Sequence, residues 1–67
     1  MQITLNGEPY GLPAGSVSLA DLLERLELAG RRVAIELNRE IVPRSQHATT
    51  LLTAGDHVEI VHAIGGG

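Results

Sequence analysis

The chain has no cysteine, no lysine, no tryptophan and no phenylalanine, and Tyr10 is its single aromatic residue. Without cysteine there is no disulfide framework, no thiolate metal site and no nucleophilic thiol, so any sulfur chemistry must proceed without a side-chain thiol. Without lysine, a phosphate-cradling loop of the usual kind lacks its cation. The shortage of aromatics removes the platforms on which nucleic-acid bases stack. Five arginines against eight acidic residues give a net charge of −3 and a pI near 5.4, the reverse of a basic nucleic-acid footprint. No apolar run approaches the ~20 residues of a membrane span, and no basic segment followed by an apolar one opens the chain. The expectation is a cytoplasmic protein whose partners include neither nucleic acid nor membrane.

What is present suits one small globule. Of 67 residues, 43% are hydrophobic and 19% charged, with no low-complexity tract or linker. A chain of this size buries only ~60% of its unfolded surface, so its core must be compact and, here, aliphatic. Gln2 to Leu12 reads as a hairpin around Asn6-Gly7, a pair suited to the positive φ angles of a tight turn. Pairing outward sets Leu5 opposite Glu8, Ile3 opposite Tyr10 and Met1 opposite Leu12. Pro9 cannot donate to a ladder and marks its strand as an edge. Leu19, Leu22, Leu23 and Leu26 then recur at helical spacing, with Ser18 as N-cap, Asp21 three residues on, and Gly30 fitting the position past the helix end. Leu28 falls off that stripe and belongs to the terminal turn.

Arg32 to Asn38 alternates as a strand with Val33, Ile35 and Leu37 on one side. Ile41-Val42 reads as a brief edge strand stopped by Pro43, and Ser45 to Thr50 as a polar loop without a period. Thr53-Ala54-Gly55-Asp56 supplies a turn, and His57 to Ala63, rich in β-branched residues, the last strand. Parity puts Val58 and Ile60 against the helix and His57, Glu59, Val61 and Ala63 on the other face. The fold class is α+β, a small mixed sheet of four to five strands covered on one face by a single helix. Residues 1–64 form the domain and residues 65–67 a flexible glycine tail.

The side chains offer no catalytic set. His57 and His62 stand five apart on one strand and point to opposite faces, and His47 lies in a loop, so the three histidines do not converge on an ion. Asp21, Glu24 and Glu27 read as a solvated helix face, and Ser16, Ser18 and Ser45 lack the strained elbow of a hydrolytic serine. The remaining unusual feature is the run Gly65-Gly66-Gly67 directly after an apolar strand. Three residues without side chains reach roughly 10 Å and enter clefts closed to other residues. A free carboxylate is a poor electrophile, so transfer chemistry at Gly67 requires activation as a phosphoric anhydride in another protein's active site. The chain reads as a substrate or carrier, not an enzyme.

Several segments together resemble the ThiS family of sulfur carriers in thiamine biosynthesis, with its ubiquitin-like β-grasp fold. These are Asn6-Gly7, the stretch Leu37-Asn38-Arg39-Glu40-Ile41-Val42-Pro43-Arg44, the turn Leu52-Thr53-Ala54-Gly55-Asp56, and Val58-Glu59-Ile60-Val61-His62 running into Gly65-Gly66-Gly67. The resemblance covers essentially the whole chain. It implies that Gly67 is adenylated by a ThiF-type adenylyltransferase using ATP and magnesium held by that partner, with no cofactor on this chain. It further implies sulfur loading from a cysteine desulfurase persulfide, a Gly67 thiocarboxylate, and sulfur donation to thiazole synthase of the ThiG type. Ile64, Gly65 and Gly66 would be recognised as the tail enters a partner, and Val61, Ala63, His62 and Arg44 are candidate docking residues. The small subunit of molybdopterin synthase shares the fold and a glycine-ended tail but usually carries an aromatic residue where this chain has Ile64. A ubiquitin-like modifier or binding module is a further alternative.

Overall fold

The computed structural model describes residues 1–62, so Ala63, Ile64 and the three closing glycines lie outside the described residues. Five strands and one helix follow in the order β1 (Gln2–Leu5), β2 (Glu8–Gly11), α1 (Leu19–Arg25), β3 (Val33–Leu37), β4 (Glu40–Val42) and β5 (His57–His62). They form one mixed sheet in the order β2-β1-β5-β3-β4, with β5 parallel to β1 and antiparallel to β3. This is the β-grasp arrangement expected.

The first hairpin has the register set by its turn: Leu5 faces Glu8 and Ile3 faces Tyr10. Beyond the strands, Met1 and Leu12 exchange two hydrogen bonds of 2.7 Å. Asn6 and Gly7 sit at φ 49° and 84°, the left-handed pair that a two-residue turn requires. β2 is an edge strand, as Pro9 demands.

Helix α1 is only seven residues long, too short to persist alone, and is held by its caps and its buried face. Ser18 Oγ accepts from the Asp21 amide and Asp21 Oδ2 accepts from the Ser18 amide, both at 3.0 Å, closing a capping box. The amides of Leu19 and Ala20 donate to the carbonyls of Thr50 and His47, each at 3.0 Å. The segment Ser45 to Thr50 is therefore not a plain loop. It opens with a 3₁₀ turn, Arg44–Gln46, and its carbonyls finish the helix cap. His47 is buried, and its Nε2 donates to the Val42 carbonyl at 3.0 Å, tying this segment to β4. Because a carbonyl only accepts, Nε2 carries the proton.

The helix ends earlier than Gly30 suggests. Leu26 is the C-cap, and Glu27 at φ 60° occupies the left-handed position after it. The Leu28 amide reaches the Leu23 carbonyl at 2.8 Å and the Glu27 amide the Glu24 carbonyl at 3.1 Å, the two bonds of a Schellman motif. Leu28 is thereby folded back onto the core. Gly30, at φ 80°, serves the next turn, where the Arg31 amide donates to the Leu28 carbonyl.

The core is aliphatic throughout. Leu19, Leu22 and Leu23 from the helix meet Ile3, Ile35, Val58 and Ile60 from the sheet, with Leu12, Val17 and Leu52 closing the edges. Val58 and Ile60 face the helix, as parity requires.

A side chain in the left-handed region costs roughly 1 kcal/mol that glycine avoids. Replacing Glu27 with glycine is therefore expected to raise stability by about 0.5–1 kcal/mol, read as a higher denaturant midpoint. A lower midpoint would show that the Glu27 side chain contributes more than its backbone conformation costs.

Candidate functional site

β5 carries the chain toward the residues singled out by sequence, and its position is fixed from both edges. On one side, β3 pairs along the whole strand, from Val33 opposite His62 to Leu37 opposite Val58. On the other, β1 supplies only two register pairs, Thr4 with His57 and Leu5 with Val58. The turn asparagine of each hairpin then reaches across to β5. Asn38, at φ 50°, donates its backbone amide to the His57 carbonyl (2.7 Å) and accepts the His57 amide on Oδ1 (2.9 Å). Asn6 donates its backbone amide to the Val58 carbonyl at 2.9 Å. Its side chain accepts the Ile60 amide on Oδ1 (2.8 Å) and donates Nδ2 to the Ile60 carbonyl (3.3 Å).

The entry to β5 is ordered by Asp56. Its carboxylate accepts from the Thr53 amide (2.8 Å), the Thr53 hydroxyl (2.9 Å) and Asn38 Nδ2 (3.2 Å). Partial burial would push the Asp56 carboxyl up, but these donors and the nearby His57 charge outweigh it and hold it below the ordinary aspartate value. Asp21 is also lowered, by the Ser18 backbone and hydroxyl bonds.

The face of the sheet away from the helix has no covering layer among the described residues. Alternation places Thr4, His57, Glu59, Val61, Ala34, Glu36 and Ile41 there, and the register sets Glu36 opposite Glu59 and Ala34 opposite Val61. Val61 is 58% exposed and Ile41 66% exposed, large aliphatic groups left in water. At the start of β5 the sheet has a concavity of 370 Å³, bordered among others by Thr4, Glu36, Asn38, Arg39, His57 and Glu59.

Of the residues singled out by sequence, Val61 lies on this open face, while His62 ends the strand on the other parity and is exposed. Arg44 is not brought to them. It borders a separate groove of 300 Å³ on the helix side, with Ala20, Leu23, Glu24, Gly30 and His47. Ala63, Ile64, Gly65, Gly66 and Gly67 fall outside the described residues. Among the described residues no group of three or more His, Asp or Glu could hold a metal ion, and no helix is long and apolar enough to cross a membrane. Sequence reasoning read Asn6 only as a turn former and gave Asn38 no role beyond ending a strand. Their common signal is an asparagine directly after an alternating apolar run.

These elements define a ubiquitin-like β-grasp domain whose last strand is central and leads into a glycine-ended segment. Comparison with known proteins narrows the class. The family model for the ThiS family matches residues 3–67, and the chain belongs to that family of sulfur carrier proteins. A solved structure of the thiamine biosynthesis protein ThiS from Geobacter metallireducens superposes with a TM-score of 0.86 at 35% identity, covering 100% of both chains. The sulfur carrier protein ThiS of Escherichia coli is 34% identical over 67 residues, 100% of each chain. A thiazole synthase of Magnetococcus marinus contains a region 43% identical over 67 residues, which is 100% of this chain and 20% of that protein. The chain thus spans about a fifth of the length of that relative.

Both lowered aspartates bind protons less readily folded than unfolded, so their stabilisation is complete above the unfolded value of about 3.9 and is lost as pH falls through the folded values. The denaturant midpoint is expected to drop on acidification below about pH 4, and the drop should be shallower in a variant carrying Asp21→Asn and Asp56→Asn. Parallel acid profiles for the two proteins would contradict this assignment.

Proposed function

We propose that this chain is a sulfur carrier of thiamine biosynthesis that works through the carboxylate of Gly67. The observation that carries the reading is a family match extending to residue 67, on a domain whose last strand is held by β3 up to His62 and on its other edge up to Ile60. A fixed strand followed by glycines suits a group that must enter another protein's cleft.

The chemistry follows from what a carboxylate lacks. A Gly67 oxygen attacks the α-phosphorus of ATP in a ThiF-type adenylyltransferase, where magnesium neutralises the phosphates, and pyrophosphate leaves. The acyl-adenylate now has AMP as a good leaving group. The terminal sulfur of a persulfide, supplied by a cysteine desulfurase or an equivalent donor, attacks the carbonyl and expels AMP, giving an acyl disulfide. A second thiol cleaves the sulfur-sulfur bond, takes the donor sulfur into a new disulfide, and releases the Gly67 thiocarboxylate. That group is a soft nucleophile and delivers its sulfur to thiazole synthase. A relative in which a ThiS-like region and a thiazole synthase share one chain supports that last partnership. This chain contributes recognition and no catalysis.

Docking falls to the open sheet face, where Val61 offers exposed apolar surface. Ala63 and His62 adjoin it in sequence, with Ile64 anchoring the tail and Gly65 and Gly66 passing through the partner's channel. Arg44, on the helix side, would meet only a partner that wraps around the domain.

Incubation with the adenylyltransferase, ATP and a persulfide donor is expected to exchange one oxygen for sulfur at the C-terminus, read by intact mass. Deleting Gly67 or appending a residue after it should abolish the exchange. Unchanged conversion in those variants would overturn the reading, and an isopeptide adduct with a second protein would favour a modifier. Val61→Asp should raise KM for adenylation by roughly tenfold, the effect of losing a central interface contact, while leaving the unfolding free energy from denaturant titration within about 0.5 kcal/mol of wild type.

A further inference from the structure

β1 stops pairing with β5 at Val58, two residues before Ile60, and there the parallel ladder is continued by a side chain. The carboxamide of Asn6 engages both the amide and the carbonyl of Ile60, so one residue occupies the place of the next β1 peptide. Its left-handed backbone, required by the turn, lets the side chain reach past the strand end. Ile60 is the last β5 residue for which a bond on the β1 side is seen among the described residues.

We propose that Asn6 is a positioning residue for tail activation: by clasping Ile60 it fixes the direction in which β5 delivers the chain toward Gly67. This rests on the carrier reading above. Gly67 is seven positions beyond Ile60, a reach of at most roughly 25 Å, so a pivot of about 10° at Ile60 would displace the end of a segment at that full reach by about 4 Å. A displacement of that size takes a carboxylate out of line with an α-phosphorus. Asn38 provides the internal comparison. It clasps β5 through its backbone amide and Oδ1, but at His57, the start of the strand, while its Nδ2 goes to Asp56.

Replacing either asparagine by glycine keeps the turn favourable, since glycine adopts positive φ freely, and removes the clasp, together with the Nδ2 bond to Asp56 in the case of Asn38. The experiment measures KM and kcat for adenylation, by pyrophosphate release, for wild type, Asn6→Gly, Asn6→Asp and Asn38→Gly. Hydrogen exchange at Ile60 is read in parallel. Asn6→Gly should show faster exchange at Ile60 and a KM raised about three- to tenfold, the population factor of one net hydrogen bond, with kcat little changed. Asn6→Asp keeps the acceptor for the Ile60 amide and should recover part of the loss. Asn38→Gly should exchange faster at His57 yet keep the wild-type KM. Equal KM values for wild type and Asn6→Gly, or an equal rise in both glycine variants, would overturn the proposal. Unchanged protection of Ile60 in Asn6→Gly would do so without reference to the enzyme. Wild type that is not adenylated at all would instead strike down the carrier reading and, with it, this role.

Discussion

The bonding of β5 along both edges is the constraint on which the rest of the molecule depends. The two hairpins β1–β2 and β3–β4 are not hydrogen-bonded to one another and become one sheet only when the last strand enters between them. The same strand supplies Val58 and Ile60 to the face that receives the helix. Sheet continuity and core closure are therefore one event, and it joins residues as far apart in sequence as Asn6 and Ile60, 54 positions. Such non-local pairing must overcome loop-closure entropy before it is rewarded, which makes the final strand the step that commits the fold.

That dependence explains why the last strand is secured by more than its ladder. A pairing of two residues with β1 is short, and Asn6 lengthens it by side-chain bonds that copy main-chain ones, while Asn38 does the same at the end of the β3 ladder. Asp56 adds a third hold at the entry, where Thr53, Asn38 and His57 converge on one carboxylate. Each bond is worth only about 1 kcal/mol net, but together they address the strand whose loss would open both sheet and core.

Much of this was legible in sequence wherever the cause was local. Asn6-Gly7 dictated the first register, Ser18 and Asp21 the helix start, and alternation the inward residues of β3 and β5. The failures share a different character. Glu27 adopts the left-handed conformation where a glycine was the natural expectation, because the Schellman bonds and Leu28 packing offset its strain. Arg39, at φ 73°, completes the two-residue turn between Leu37 and Glu40 without a glycine, a conformation its side chain does not announce. The polar stretch from Ser45 to Thr50 has no period because its task is done by backbone carbonyls, which leave no trace in side-chain pattern. Asn6 looked like a turn former and Asn38 like the end of a strand, since a second partner 54 or 19 residues away is invisible to local reading. At the candidate site, the open face and the exposure of Val61 followed from parity, whereas the separation of Arg44 from it needed the third dimension.

The division between a closed and an open face also bears on how a carrier without reactive side chains meets an enzyme. Ordering a backbone residue costs about 1–2 kcal/mol, and whatever part of that cost remains at encounter is subtracted from affinity. Residues 57 to 62 are already fixed by folding, through β3 on one edge and β1 with Asn6 on the other, so a partner need not order them again. On the docking proposed above, Val61 offers its apolar surface from a position the fold already holds, and binding energy gained there would be available for guiding the residues that follow. A loosely held last strand would present the same groups but spend that energy on ordering the strand itself. The interior of this small domain is thus connected to the proposed chemistry through one element: the aliphatic core holds β5, and β5 is the strand from which the sequence runs on to Gly67.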